Sequence, residues 1–223
     1  IVPKGAADRS IIAREAIARM KKSNPESLMH PSNAQRIHAV NLEDDLHLLK
    51  DRDWVVEVVV ERIDIKHTIY SNIEEHLSKN AILSSNTSTI PRSSLVQGMS
   101  ASLASRFLIT HFFNPPRYLP LLELVVGEEV EEDLFQRMSL FASERLGKKV
   151  ILCNDTPGFI GNRLGIYFVQ RSIAATLDYG FTVEQADAML GRPIGLPKMN
   201  KSYFGRLEPF LLAKLIICSQ SVK

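Results

Sequence analysis

A histidine and a glutamate, each set in an otherwise apolar run, are the first residues in this chain that could do chemistry together. His111 lies in Phe107-Leu108-Ile109-Thr110-His111-Phe112-Phe113, and Glu123 lies in Leu121-Leu122-Glu123-Leu124-Val125-Val126. A carboxylate in an apolar strand is costly unless something pairs with it. If the two strands are neighbours, Glu123 can hold one imidazole nitrogen and leave the other free to take a proton, which is the arrangement of a general base. The competing reading is a core histidine hydrogen-bonded to a neighbour.

Further polar residues follow other apolar runs. Glu61 closes the run 54–60, with Lys66 a turn into the next helix; Ser85-Asn86-Thr87-Ser88 follows 81–84; Asn114-Pro115-Pro116 follows 107–113. Open parallel sheets bind ligands outside the carboxyl ends of their strands, so one crevice could be lined by all three. Each also has a structural reading: a solvated helix start for Glu61 and Lys66, and a turn or helix cap for Asn86, Thr87 and Ser88. Asn162 lies early in a long helix, off its Ile160, Leu164, Phe168 stripe. It faces either a cleft between domains or solvent.

The elements that must carry these residues alternate. Residues 10–22 have helical periodicity ending at Asn24-Pro25, 36–40 read as a short strand, and 42–49 as a short helix. Residues 54–60, Trp-Val-Val-Glu-Val-Val-Val, are nearly all β-branched, as expected of a strand covered on both faces. Then come helix 64–77, strand 81–84, short helix 91–97, strands 107–113 and 121–126, helix 131–146 and strand 150–153. Such alternation predicts an α/β fold with a doubly wound parallel sheet. After Asn154 the pattern is helical: Asp155-Thr156-Pro157 predicts a capped helix running to Tyr179 and stopped by Gly180, and Thr182-Val183-Glu184-Gln185 is a capping box for a helix stopping at Gly191. The expected division is a sheet domain over 1–154 and an all-α domain over 155–223.

Composition narrows the function. The chain has 223 residues, 45% hydrophobic and 23% charged, with a net charge of +2. That is ordinary globular composition, with too little charge imbalance to suggest a nucleic-acid partner. Two cysteines, Cys153 and Cys218, make no disulfide framework, and no cluster has metal-ligand spacing. No apolar run approaches the roughly 20 residues of a membrane span. The chain begins at Ile1 without a recognisable leader, and its true start is expected upstream.

In order and spacing, Val55-Val56-Glu57-Val58-Val59-Val60-Glu61 with Lys66, Ser85-Asn86-Thr87-Ser88, His111-Phe112-Phe113-Asn114-Pro115, Glu123, and Asp155-Thr156-Pro157-Gly158-Phe159 with Asn162-Arg163 closely resemble the L-3-hydroxyacyl-CoA dehydrogenase family of fatty-acid β-oxidation. The resemblance covers approximately residues 1–198. It implies a Rossmann-like NAD-binding domain followed by a helical domain, with a 3-hydroxyacyl-CoA substrate held between them. His111 would take the hydroxyl proton and Glu123 would orient it. Val59, Val60, Glu61, Lys66, Ser88 and Asn114 would contact NAD, Ser88 and Asn162 the substrate. It also implies a homodimer where the flanking segments are present, and a cytoplasmic location in a bacterium or a mitochondrial or peroxisomal one in a eukaryote.

Two departures stand out. No G-x-G-x-x-G occurs, so the phosphate-binding turn and the ribose-binding acid are missing, and the chain as given is expected to bind NAD poorly and to expose a sheet edge. Residues 199–223 do not resemble the family. The enzyme reading, as such or within a multifunctional β-oxidation protein, therefore stands beside a non-catalytic, crystallin-like scaffold. A 6-phosphogluconate-type hydroxyacid dehydrogenase fits less well, because it would use a lysine base.

Overall fold

The computed structural model describes residues 8–190 and Pro193. Helix α1 (Ile11–Met20) is followed by two 3₁₀ turns, Pro31–Arg36 and Leu46–Asp51. The strand expected at 36–40 does not form: a strand needs a neighbour for its N–H and C=O groups, and no described strand lies beside this segment. Then come β1 (Trp54–Glu57), α2 (Ile63–Glu74), β2 (Ile82–Ser85), α3 (Arg92–Leu95), α4 (Ala101–Ala104), β3 (Phe107–Phe112), β4 (Leu121–Val125), α5 (Glu132–Leu146), β5 (Lys149–Leu152), α6 (Gly161–Asp178) and α7 (Val183–Leu190).

The α/β, Rossmann-like reading holds: one five-stranded sheet in the order β1-β2-β3-β4-β5. Strands β1, β2 and β3 are parallel, and so are β4 and β5, but β3 and β4 are antiparallel. The sheet is mixed, which corrects the expectation of a purely parallel one. A parallel return needs a crossover of about a dozen residues or more, and only residues 113–120 separate β3 from β4. Along the strands, alternate side chains enter two cores on opposite faces. One face packs Leu83, Phe107, Ile109 and Val125 against Tyr70, Ile73, Leu95 and Leu103; the other packs Ile82, Leu108, Leu122 and Leu124 against Leu134, Met138 and Ala142 of α5. Helices thus cover both faces, as the doubly wound pattern requires.

The helix expected at 42–49 is the 3₁₀ turn Leu46–Asp51, and two further boundary differences shape the site. Strand β1 stops at Glu57 rather than residue 60, because the Glu57 carboxylate turns back to accept the N–H of Val59 at 2.6 Å. Val58 and Val60 emerge beyond the sheet, 67% and 59% exposed. Helix α6 starts at Gly161, not at Pro157: Gly158 and Phe159 adopt φ of 78° and 46° and break the helical path. The Thr182 capping box forms as expected, with Gln185 N–H donating to Thr182 Oγ1 at 3.3 Å and Thr182 N–H to Gln185 Oε1 at 2.9 Å. Helix α7 is described as far as Leu190, and the expected stop at Gly191 and the expected departure from the family over 199–223 lie outside the described residues.

Candidate active site

The antiparallel register sets His111 directly opposite Glu123. Both are nearly inaccessible, at 4% and 1% exposure. Glu123 Oε2 lies 2.7 Å from His111 Nδ1. The other oxygen, Oε1, accepts the backbone N–H groups of Ile160 at 3.0 Å and Gly161 at 2.7 Å. The carboxylate therefore sits on the first turn of α6, where the free N–H groups and the helix dipole favour negative charge. With Nδ1–H donating to Glu123, His111 Nε2 is left as an acceptor, and it faces Ser88 Oγ at 3.2 Å. Asn162 Nδ2 donates to the Ser88 carbonyl at 3.1 Å. The rings of Phe113 and Phe159 flank the imidazole, with centroids 4.7 and 5.6 Å away. Gly161 permits this closeness, since a Cβ there would lie 2.6 Å from Phe113 Cζ.

A second polar network lies at the ends of β1 and β2. Glu57 accepts both contacts of Lys66 Nζ, at 2.8 and 2.9 Å, the hydroxyls of Tyr70 and Ser85 at 2.7 Å each, and the Val59 N–H. Burial, then the hydrogen bond to Glu57, pushes the Tyr70 hydroxyl well above the ordinary phenol range, so it remains a donor. Lys66 also lies 3.4 Å from Glu61 Oε2. Lys66, expected to touch the cofactor directly, is only 1% exposed and gives its ammonium to these two carboxylates.

Glu61 gathers the loop after β2. Its Oε1 accepts Thr87 Oγ1 at 2.5 Å, the Ser88 N–H at 2.9 Å, and Thr89 through N–H and Oγ1 at 3.1 Å each. Partial burial pushes its carboxyl up, but the hydrogen bonds from Thr87, Ser88 and Thr89 and the charge of Lys66 outweigh it and hold the group below its ordinary value. A lowered carboxyl stabilises the fold above its unfolded value, here 4.5, and that stabilisation is lost as pH falls through the lower folded value. Thermal melts from pH 6 to pH 3 are therefore expected to converge for wild type and Glu61→Gln at the acid end, with wild type higher above about pH 5. A constant offset across the range would contradict this.

The remaining expected residues are more peripheral. Val59 is half-buried beside Glu57, while Val60 and Asn114 are exposed at the strand ends, Asn114 without a side-chain hydrogen bond to any described residue. The sequence assigns Glu57 no role in the site and leaves Asn86 as either a crevice-lining residue or a turn or helix cap. Asn86 Oδ1 accepts the Phe112 N–H at 2.9 Å and ties the end of β2 to the end of β3. In the expected cap Asp155-Thr156-Pro157 the capping hydroxyl is that of Thr156; the Asp155 carboxylate accepts the N–H groups of Arg92 and Ser93 at 2.5 and 2.7 Å at the start of α3. Burial, then Glu123, pushes the Cys153 thiol up to about 11, which makes it an inert core group rather than a nucleophile.

A Rossmann-like sheet that presents a carboxylate-held imidazole, a serine and an asparagine beyond its strand ends is the class of site in which a nucleotide-dependent dehydrogenase moves a proton. Residues 5–156 match the family model described as "3-hydroxyacyl-CoA dehydrogenase, NAD binding domain". The chain belongs to the 3-hydroxyacyl-CoA dehydrogenase family. It is 40% identical over 188 residues to a Deinococcus radiodurans protein named as a probable 3-hydroxyacyl-CoA dehydrogenase, covering 84% of this chain and 54% of the relative. It is 37% identical over 205 residues to a Rickettsia prowazekii protein named as a trifunctional enzyme of a fatty acid oxidation complex, covering 92% and 28%. Among solved structures, M. tuberculosis FadB2 superimposes with a TM-score of 0.69 at 26% identity, covering 95% of this chain and 81% of FadB2. The chain thus spans about half the length, or less, of the curated relatives it matches.

Proposed function

We propose that this chain carries the NAD-binding part and the catalytic base of an enzyme that oxidises L-3-hydroxyacyl-CoA to 3-oxoacyl-CoA, alone or within a multifunctional β-oxidation protein. The observation behind this reading is the direction of His111: its Nδ1 is held by Glu123, and its Nε2 points past Ser88 to the ends of the strands. His111 accepts the proton of the 3-hydroxyl at Nε2, and Glu123 offsets the imidazolium charge that results. Ser88 Oγ, within reach of Nε2, orients the substrate oxygen, and Asn162 holds the Ser88 backbone and reaches the substrate side of the cleft.

The residues present suit the nicotinamide end of NAD. Val60 and Val58 offer an exposed apolar shelf, bordered by Glu61 and the Ser88 loop. By the family resemblance, Val59 and Asn114 would also contact NAD. NAD supplies the hydride acceptor when bound. No G-x-G-x-x-G occurs among these 223 residues to hold the pyrophosphate end. We divide the chain into a cofactor domain over 1–154 and a helical domain over 155–223, and read the complete protein as a homodimer. Its compartment follows its host: cytoplasm in a bacterium, mitochondrion or peroxisome in a eukaryote. No helix among the described residues is long and apolar enough to cross a membrane.

Calorimetric titration of the folded chain with NADH and then acetoacetyl-CoA tests the reading. Heat from both supports it. Heat from neither, also after a strand, glycine loop and helix are supplied upstream, favours a non-catalytic scaffold of the same family.

A further inference from the structure

Glu57 has no place in the reaction just described, yet it is the most heavily hydrogen-bonded carboxylate among the described residues outside the site loops. It sits 5% exposed at the last position of β1. Burying a carboxylate opposite an ammonium contributes little net stability compared with an apolar pair of similar volume, so stability alone does not account for it. Its contacts point along the chain toward the site. Oε1 takes the Val59 N–H at 2.6 Å, which ends β1 and turns Val58 and Val60 out beyond the sheet. The same oxygen and Oε2 hold Lys66 Nζ, whose remaining reach, 3.4 Å, is to Glu61. Glu61 in turn holds the N–H groups of Ser88 and Thr89, and Ser88 Oγ touches His111 Nε2.

We propose that Glu57 is a positioning residue: through Val59 it sets the shelf 58–60, and through Lys66 and Glu61 it sets the Ser88 loop against the imidazole. It touches neither His111 nor, on this geometry, a ligand on the shelf. Without the Glu57 charge, the Lys66 ammonium has only Glu61 as a counter-ion. It draws that carboxylate toward itself and away from the Ser88 and Thr89 amides. The consequence for cofactor affinity rests on the function proposed above, whereas the positioning does not.

The test is residue-resolved amide hydrogen exchange on the full 223-residue chain, compared among wild type, Glu57→Gln and Tyr70→Phe. In Glu57→Gln the amides of Val59, Ser88 and Thr89 are expected to exchange at least about 10-fold faster than any change at Leu124 in β4, because the loss is local rather than global. Tyr70→Phe removes a donor to Glu57 but keeps its charge, and is expected to leave these three amides moving in step with Leu124. If Glu57→Gln does not fold, the charge-balanced Glu57→Gln/Lys66→Met is measured instead; with no ammonium left to draw Glu61 away, the acceleration is expected at Val59 alone, with Ser88 and Thr89 moving in step with Leu124. Equal acceleration at all four amides in a folded variant lacking the carboxylate overturns the proposal, and so does the site-specific pattern in Tyr70→Phe. NADH titration of Glu57→Gln is expected to show about 10-fold weaker binding, or about 1.4 kcal/mol, and Tyr70→Phe binding close to that of wild type. Failure of wild type to bind NADH, also with a strand, glycine loop and helix supplied upstream, would count against the proposed function, while the exchange result would still decide the role of Glu57.

Discussion

Replacing His111 by glutamine is expected to lower NADH formation from a 3-hydroxyacyl-CoA by roughly 100- to 10,000-fold, the usual contribution of a positioned general base. Glutamine fills much of the imidazole volume and can still hydrogen-bond to Glu123, so the fold is expected to survive with a melting temperature near that of wild type. It cannot take up the hydroxyl proton. The loss therefore falls on turnover, and NADH affinity is expected to remain close to that of wild type because the proposed mechanism puts His111 on the reacting carbon's oxygen rather than on the dinucleotide. The assay is run with a strand, glycine loop and helix supplied upstream of Ile1, so that cofactor binding does not limit it. Equal rates for the two proteins would remove His111 from the mechanism. Glu123 would then revert to the structural role that its bonds to Ile160 and Gly161 already give it.

The second large effect concerns stability. Replacing Lys66 by methionine leaves the Glu57 carboxylate buried with no counter-charge except what its hydroxyl and N–H donors supply. Breaking a buried pair in this way costs about 3–5 kcal/mol. For a domain of this size the melting temperature is expected to fall by roughly 6–20 °C. Removing both charges, in Glu57→Gln/Lys66→Met, is expected to recover most of that loss and finish within about 2 kcal/mol of wild type. Thermal melts of the two single variants and the double variant measure the coupling. A Lys66→Met protein that melts with wild type would show that the ammonium is not what balances Glu57.

The site was legible in the sequence to the extent that cost exposes it. Glu123 stood out because a carboxylate among Leu121, Leu122, Leu124 and Val125 must have a partner, and His111 in the preceding apolar run was a group able to provide one. The same argument applied to Glu57 within its β-branched run, but its partners, Lys66, Tyr70, Ser85 and the Val59 N–H, come from a helix, a neighbouring strand and its own chain, and no spacing rule links them. Lys66 read as a solvent-facing lysine because an i, i+5 offset from Glu61 says nothing of how deep the helix sits. The turn at 157–160 was misread as helix for a local reason: Pro157 is a good first helical residue, and nothing in Phe159 announces a positive φ.

What the sequence determined by itself was the alternation of elements, the apolar faces of the strands and the residue types collected at their carboxyl ends, since these follow from side-chain periodicity and local capping chemistry. The tertiary structure decided which of those residues meet. The antiparallel pairing of β3 with β4 puts His111 opposite Glu123, and the left-handed residues before α6 aim two N–H groups at the same carboxylate. Burial hands Lys66 to Glu57. Such meetings depend on strand order and on where the chain turns, and those are set by the packing of both faces of the sheet at once rather than by any one segment.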